Sequence, residues 1–141
     1  MPLESADEIK NLLERTNRIA MVGASPRADR ASNGVLKFLL DQGYEVIGVN
    51  PGHAGSAIHG AEVVASLADI EGKVDLVDIF RNSEDAGNAV DQAISIGAGA
   101  VWMQLGVINE DAAARAEEAG LDVVMDRCPK IEIPRLGVRK A

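Results

Sequence analysis

Two small-residue turns carry the clearest chemistry in this chain of 141 residues. Gly23-Ala24-Ser25 follows a short apolar run, and Ser32-Asn33-Gly34 opens the next helical pattern. A glycine lets the backbone come close to a ligand, and the N–H groups at a helix start attract phosphate. Ser32 has a second reading as a plain N-cap, and the two roles are compatible because a cap uses the side-chain oxygen. The glycine spacing differs from the G-x-G-x-x-G of a dinucleotide site. The second apolar run ends in Asn50-Pro51, where a nicotinamide site carries the acid that holds the ribose hydroxyl. Both features count against a nicotinamide enzyme, although Asn50-Pro51 also has the character of an ordinary turn start.

Cations gather at the ends of the other apolar runs. Phe80, Arg81 and Asn82 follow the third run, Gln104, Leu105 and Gly106 the fourth, and Arg127, Cys128 and Lys130 the fifth. Together with Arg27 and Arg30 they form a cationic rim on a chain of formal charge −8, which points to a small polyanionic ligand rather than a basic footprint for nucleic acid. Cys128 has three readings: a nucleophile, a thiol-exchange partner or an inert core residue. Arg127 and Lys130 would favour its thiolate if it is exposed. His53 and His59 share one loop without an acid or cysteine at ligand spacing, so they read as surface residues rather than a metal site. Asp75 and Asp78 alternate in the third run, with Asp78 at the switch edge or paired locally. No carboxylate pair has clear acid–base spacing.

The elements that must position these residues follow from periodicity. Ser5-Ala-Asp-Glu8 has capping-box spacing, and Ile9, Leu12 and Leu13 continue it as a short helix ending near Thr16. Ile19 to Ala24 is a buried strand, and Val35, Phe38 and Leu39 stripe a helix from Ser32 to Gln42, stopped by Gly43. Tyr44 to Asn50, Val74 to Phe80, Ala100 to Leu105 and Asp122 to Met125 are the next strands. Between them lie a loop at residues 51–60, a short turn or helix from Glu62 to Ala68, a helix capped by Ser83, and a helix capped by Asn109 and ended by Gly120. The tail from Lys130 to Ala141 is expected along the surface. Strands alternating with helices imply a Rossmann-like, doubly wound α/β domain: a parallel five-stranded sheet with helices on both faces. The expected strand order is 3-2-1-4-5, with the ligand at the carboxyl ends by the switch point between strands one and four.

Composition bounds the rest. The chain is long enough for one domain with a real core, and no repeat or linker divides it. Aromatics are only 3% of residues, so Val, Ile, Leu and Ala must fill that core. No apolar run reaches the roughly 18 residues of a membrane helix, and the first residues lack the basic head of a signal peptide. One cysteine fits a reducing compartment, and the expected location is cytoplasmic, with no nucleic-acid or membrane partner.

Taken together, Val22-Gly-Ala-Ser25, Gly43-Tyr-Glu-Val-Ile-Gly-Val-Asn-Pro51, Val74-Asp-Leu-Val-Asp-Ile-Phe-Arg81, Val101-Trp-Met-Gln-Leu-Gly106 and Met125-Asp-Arg-Cys-Pro-Lys-Ile-Glu132 resemble the small stand-alone CoA-binding proteins. These are similar to the CoA-binding domain of the succinyl-CoA synthetase α-subunit. The resemblance covers nearly the whole chain and implies a nucleotide-binding domain that holds coenzyme A or an acyl-CoA, with a non-catalytic or regulatory role. It implies that Gly23, Ala24 and Ser25, with Arg30, Ser32 and Asn33, meet the diphosphate and 3′-phosphate. Asn50 and Pro51 would border the adenosine, and Phe80, Arg81, Gln104, Leu105 and Gly106 would line the nucleotide and pantetheine path. Arg127 and Cys128 would stand near the CoA thiol. The chain leaves no room for a ligase domain with its phosphorylated histidine, and His53 and His59 do not match that place. An NAD(P)-binding oxidoreductase-like domain, a subunit of a split acyl-CoA synthetase with a separate ligase partner, redox capping of Cys128 by CoA, and a homo-oligomer are the alternatives.

Overall fold

The computed structural model describes residues 2–139. Among them, helix α1 (Ala6–Arg15) starts where the capping spacing placed it, with Ser5 Oγ accepting from the Glu8 N–H at 3.2 Å. Strand β1 (Arg18–Val22) follows and leads into helix α2 (Ala31–Asp41). Next come β2 (Glu45–Val49), β3 (Ala57–Ile58), β4 (Ala61–Val64) and β5 (Leu76–Ile79). Then α3 (Ser83–Ser95), β6 (Ala100–Met103), α4 (Glu110–Glu118), β7 (Asp122–Val124) and α5 (Pro129–Leu136) complete the order.

The Rossmann-like α/β architecture is present, with seven strands in place of the expected five, in the order β3-β4-β2-β1-β5-β6-β7. The five strands expected from sequence therefore run 2-1-3-4-5. The strand that lies outside β2 is β4, in the segment expected to be a turn or helix. It pairs parallel with β2 through Gly48 and Val63, and β3 closes the edge antiparallel to it. Four residues with only partial alternation are too few for a periodicity signal, and pairing with β2 decides the conformation. The expected order 3-2-1-4-5 is therefore corrected: β4 takes the place outside β2, and the switch point falls between β1 and β5, the third expected strand rather than the fourth.

Two more expectations are corrected. The tail is not laid along the surface: α5 forms, and Ile133 is buried at 2% exposure. Pro129 stands at the start, where a missing N–H costs nothing, and Gly137 ends the helix in the left-handed region at φ 68°. Ser32 and Ser83 are not N-caps. Arg30 and Asn82 hold those positions, with Asn82 accepting from the Asp85 N–H. Asn109 caps α4 as expected, accepting from the Ala112 N–H.

The sheet is buried on both faces. Met21, Leu76, Trp102 and Val124 pack against α1, α2 and α5 through Ile9, Leu13, Leu36, Leu39 and Ile133. Ala20, Val77, Val101 and Val123 pack against α3 and α4, whose inner faces are almost all alanine and valine. Such small faces let the helices approach the sheet closely without aromatic bulk. Trp102 is fully buried, and its indole N–H donates to the Arg127 carbonyl at 2.8 Å. The largest side chain of the core thereby anchors the loop that delivers Cys128.

Candidate functional site

The carboxyl ends of the parallel strands open into a cleft of about 620 Å3, within the usual range for a small-molecule site. It is lined by Gly23, Ser25, Arg27, Arg30, Ala31, Ser32 and Val35 from the β1–α2 segment. Asn50 and His53 come from beyond β2, Phe80 and Arg81 from beyond β5, Gln104, Leu105 and Val107 from beyond β6, and Cys128 from beyond β7. Most of the expected residues meet here. Ala31, Val35, His53 and Val107 were missed, because three are plain apolar or small residues and His53 carried no partner at motif spacing.

The expected residues that do not line the cleft have other work. Ala24 is buried beneath the loop, against the backbone of Gly48. Pro51 faces a neighbouring hollow of about 300 Å3 behind the switch point, and Arg81 borders both spaces. The Gly106 N–H donates to Asp126 Oδ1 at 2.7 Å, which ties the β6 and β7 loops together. Arg127 turns to the buried carboxylate of Glu132, 3.8 Å away.

Gly23 is the point where three strand ends converge. Its N–H donates to the Val49 carbonyl at 2.9 Å, and its φ of 89° lies in the left-handed region. A Cβ placed there would stand 2.3 Å from the Phe80 carbonyl oxygen. Asn50 joins the same point from β2. Its Nδ2 donates to the Ala24 carbonyl at 2.8 Å, while its Oδ1 accepts from the Gly52 N–H at 3.0 Å. The residue that marks a turn in sequence therefore also clamps the first loop.

Asn33 holds the far side of that loop. Its Nδ2 donates to the Ser25 carbonyl at 3.0 Å and its Oδ1 accepts from His59 Nε2 at 2.7 Å. Because the amide nitrogen is used at Ser25, the histidine must carry its proton on Nε2. His59 reaches this position from the β3–β4 turn with a φ of 50°. Asn33→Ala leaves the His59 donor and the Ser25 acceptor unpaired, and the expected loss is about 1–2 kcal/mol in the free energy of denaturant unfolding.

Helix starts supply the electrostatics. Helices α1, α3 and α4 begin with side-chain caps from Ser5, Asn82 and Asn109, whereas α2 and α5 have none. Ala31 and Ser32 at the start of α2 line the cleft, so the positive end of that helix dipole is directed to it, whereas the Lys130 and Ile131 N–H groups at the start of α5 are directed to the Cys128 sulfur. Arg27 and Arg30 are highly exposed beside α2, and Arg27 also pairs with Asp29 at 3.0 Å. Lys130 brings its ammonium over Gly34 in the first turns of α2.

Behind Gln104 the character changes. Asp78, at the middle of the sheet between Met21 of β1 and Trp102 of β6, is completely buried. Its Oδ1 accepts from Gln104 Nε2 at 2.5 Å, and its Oδ2 has no protein partner. Burial pushes its pKa up to about 7, against the Gln104 hydrogen bond, which pulls it down. Half-buried Cys128 stands at the N-cap of α5. Burial pushes its thiol pKa up, the N–H groups of Lys130 and Ile131 and the Lys130 ammonium pull it down, and the charge of Asp78 adds to the rise. Among the described residues, no group of three or more His, Cys, Asp or Glu side chains is arranged to hold a metal ion.

Residues 17–134 match the CoA binding domain family. The chain belongs to this family. A CoA-binding domain thus occupies most of the sequence, and the cleft lies at its switch point. An uncharacterized Bacillus subtilis protein, YneT, is 42% identical over 127 residues, spanning 90% of this chain and 93% of that one. A solved hypothetical protein from Pyrococcus horikoshii is 38% identical, with a TM-score of 0.90 over 96% of each chain. At 21% identity, an acetyl-coenzyme A synthetase 1 from Ca. Korarchaeum cryptofilum shares the fold, with a TM-score of 0.70 over 84% of this chain and 27% of that one. Among the described residues, no helix of this CoA-binding domain is long and apolar enough to cross a membrane.

Proposed function

We propose that this chain binds coenzyme A or an acyl-CoA in the cleft, as a non-catalytic or regulatory module. The observation that carries the reading is the uncapped start of α2, whose Ala31 and Ser32 line a cleft rimmed by Arg27, Arg30 and Arg81. Phosphate oxygens match N–H groups at a helix start and arginine forks together. In this reading the Gly23–Ser25 turn, Ser32 and Arg30 take the diphosphate and 3′-phosphate, with Asn33 holding the turn in shape. Asn50 and His53 border the adenosine, and Pro51 and Arg81 extend that wall toward the neighbouring hollow. Phe80, Gln104, Leu105 and Val107 line the pantetheine path, which ends at Cys128. Gly106 and Arg127 serve through the loops they fix.

Calorimetric titration of the reduced protein with CoA and with CoA lacking the 3′-phosphate tests this. Heat with CoA is expected, and silence with both ligands refutes the reading. Arg30→Ala is expected to weaken CoA about tenfold and the dephospho form much less, since a charge-assisted contact to one phosphate is lost. Equal losses would remove Arg30 from the 3′-phosphate. A second reading, in which the domain works with a separate ligase chain, is supported by the fold shared with the longer acetyl-coenzyme A synthetase. Co-purification with a ligase-domain chain distinguishes it.

A further inference from the structure

Gln104 is held at both ends. Its carbonyl accepts from the Val107 N–H at 2.8 Å, in a turn that Gly106 completes with a φ of 79°. It stands two residues beyond Trp102, the residue of β6 that pairs with Asp78 of β5, so its side chain falls on the same face as Asp78. Its Nε2 donates to Asp78 Oδ1. The residue is 6% exposed and lines the cleft. Among the described residues, the sealed side-chain polar atom without a partner is Asp78 Oδ2. Gln104 Oε1 has no protein donor either, but it is not sealed, and the space it opens on is the cleft.

A free amide can turn over and exchange its oxygen for its nitrogen. Here the partner decides. A carboxyl oxygen without a proton only accepts, so the nitrogen must face Asp78 and the oxygen must face away. A fully buried carboxyl is costly, and its neighbours across β1 and β6, Met21 and Trp102, do not call for one. The hydrogen bond that its side chain makes is the one to Gln104.

The surrounding wall gives Oε1 its meaning. Of the side chains beyond β5 and β6 that line the cleft, Phe80, Leu105 and Val107 carry no hydrogen-bonding atom and Arg81 carries only donors. A fixed acceptor in an apolar wall selects a neutral N–H or O–H, and a ligand that lacks one leaves it unpaired at a cost. Phosphate offers no such donor at pH 8, and the adenosine lies at Asn50 and His53 in the reading above. That leaves the pantetheine arm, whose two amides each carry an N–H. Resting on the CoA reading, we propose that Gln104 recognises this arm, Oε1 accepting from one amide N–H, and that Asp78 is the positioning residue that fixes the orientation of the Gln104 amide.

Calorimetric titrations at pH 8, above the Asp78 pKa of about 7, compare CoA with adenosine 3′,5′-bisphosphate, which keeps the nucleotide and lacks the arm. Gln104→Leu is expected to weaken CoA about tenfold and the bisphosphate by less than about twofold. Asp78→Leu leaves the amide without its acceptor and is expected to weaken CoA about fivefold, again sparing the bisphosphate. Asp78→Asn keeps an oxygen for Nε2 and is expected to stay within about twofold of wild type for both ligands. Equal losses for the two ligands in Gln104→Leu overturn the proposal, and an Asp78→Leu that binds CoA like wild type overturns the positioning role. If a leucine variant does not fold, the wild type decides with CoA analogues in which an ester replaces one or the other arm amide. One analogue is expected to bind about tenfold more weakly than CoA, because its oxygen has no proton for Oε1. Full affinity for both analogues overturns the proposal and leaves the CoA reading standing. A protein that binds neither CoA nor the bisphosphate refutes the CoA reading, and the role of Gln104 falls with it.

Discussion

Gly23→Ala is expected to lower the unfolding free energy by about 3 kcal/mol, a fall of about 10 °C in Tm. It is also expected to weaken CoA about tenfold or more. Two costs add. The backbone sits at φ 89°, which an L-residue adopts only with strain. The added methyl would also stand 2.3 Å from the Phe80 carbonyl, and that oxygen belongs to backbone rather than to a flexible side chain. Relief requires β1 and the β5 loop to move apart. Those are the two sides of the switch point, so Ser25 and Arg81 would lose their spacing across the cleft. Thermal unfolding and CoA titration on the same sample check both parts. A stable variant with full affinity would show that the convergence at Gly23 is slack.

The second large effect is a dependence of stability on pH that comes from Asp78. Its ordinary carboxyl pKa of 3.8 applies in the unfolded chain, and burial pushes it up to about 7 in the fold. Between those values the native state holds a proton that the unfolded state releases. The unfolded state therefore binds fewer protons, and stability falls as pH rises from about 4 to about 7, then levels off. The contribution lost across that window is on the order of 2–4 kcal/mol. Asp78→Asn removes the titration but keeps an oxygen for Gln104. It is expected to flatten this part of the curve and to be more stable than the wild type at pH 8. Denaturant unfolding at several pH values measures it, and a wild-type curve that rises from pH 4 to pH 7 by several kcal/mol would contradict it.

Gly23 lines the cleft, and Asp78 lies buried behind it, joined to it through Gln104. Gly23 shapes the turn where phosphate would be held, and Asp78 places a buried carboxyl beneath Gln104. Gly23 directly follows β1 and Asp78 lies within β5, the two central strands. The site is therefore tied to the stability of the sheet itself, and substitutions that loosen β1 or β5 will be felt in both.

Local sequence was enough for much of the frame. The capping spacing at Ser5, the cap at Asn109, the apolar runs of the central strands and the glycines that end helices are short-range signals. Each is decided within a few residues by steric and hydrogen-bonding rules. Strand ends in an α/β fold also gather at one edge, so the residues placed there by topology could be named in advance, Arg30, Asn50, Arg81 and Cys128 among them. What sequence could not supply depends on contacts between distant residues. Strand β4 exists because β2 offers an open edge, and α5 because Ile133 finds the core beneath it. The coupling of Asn33 to His59 spans 26 positions, as does that of Asp78 to Gln104, and neither spacing means anything along the chain. The buried, half-satisfied carboxyl of Asp78 is the clearest case. In sequence it is one acid in an apolar run; its desolvation, its single amide partner and its influence on Cys128 arise only when β5, β6 and the start of α5 are packed together.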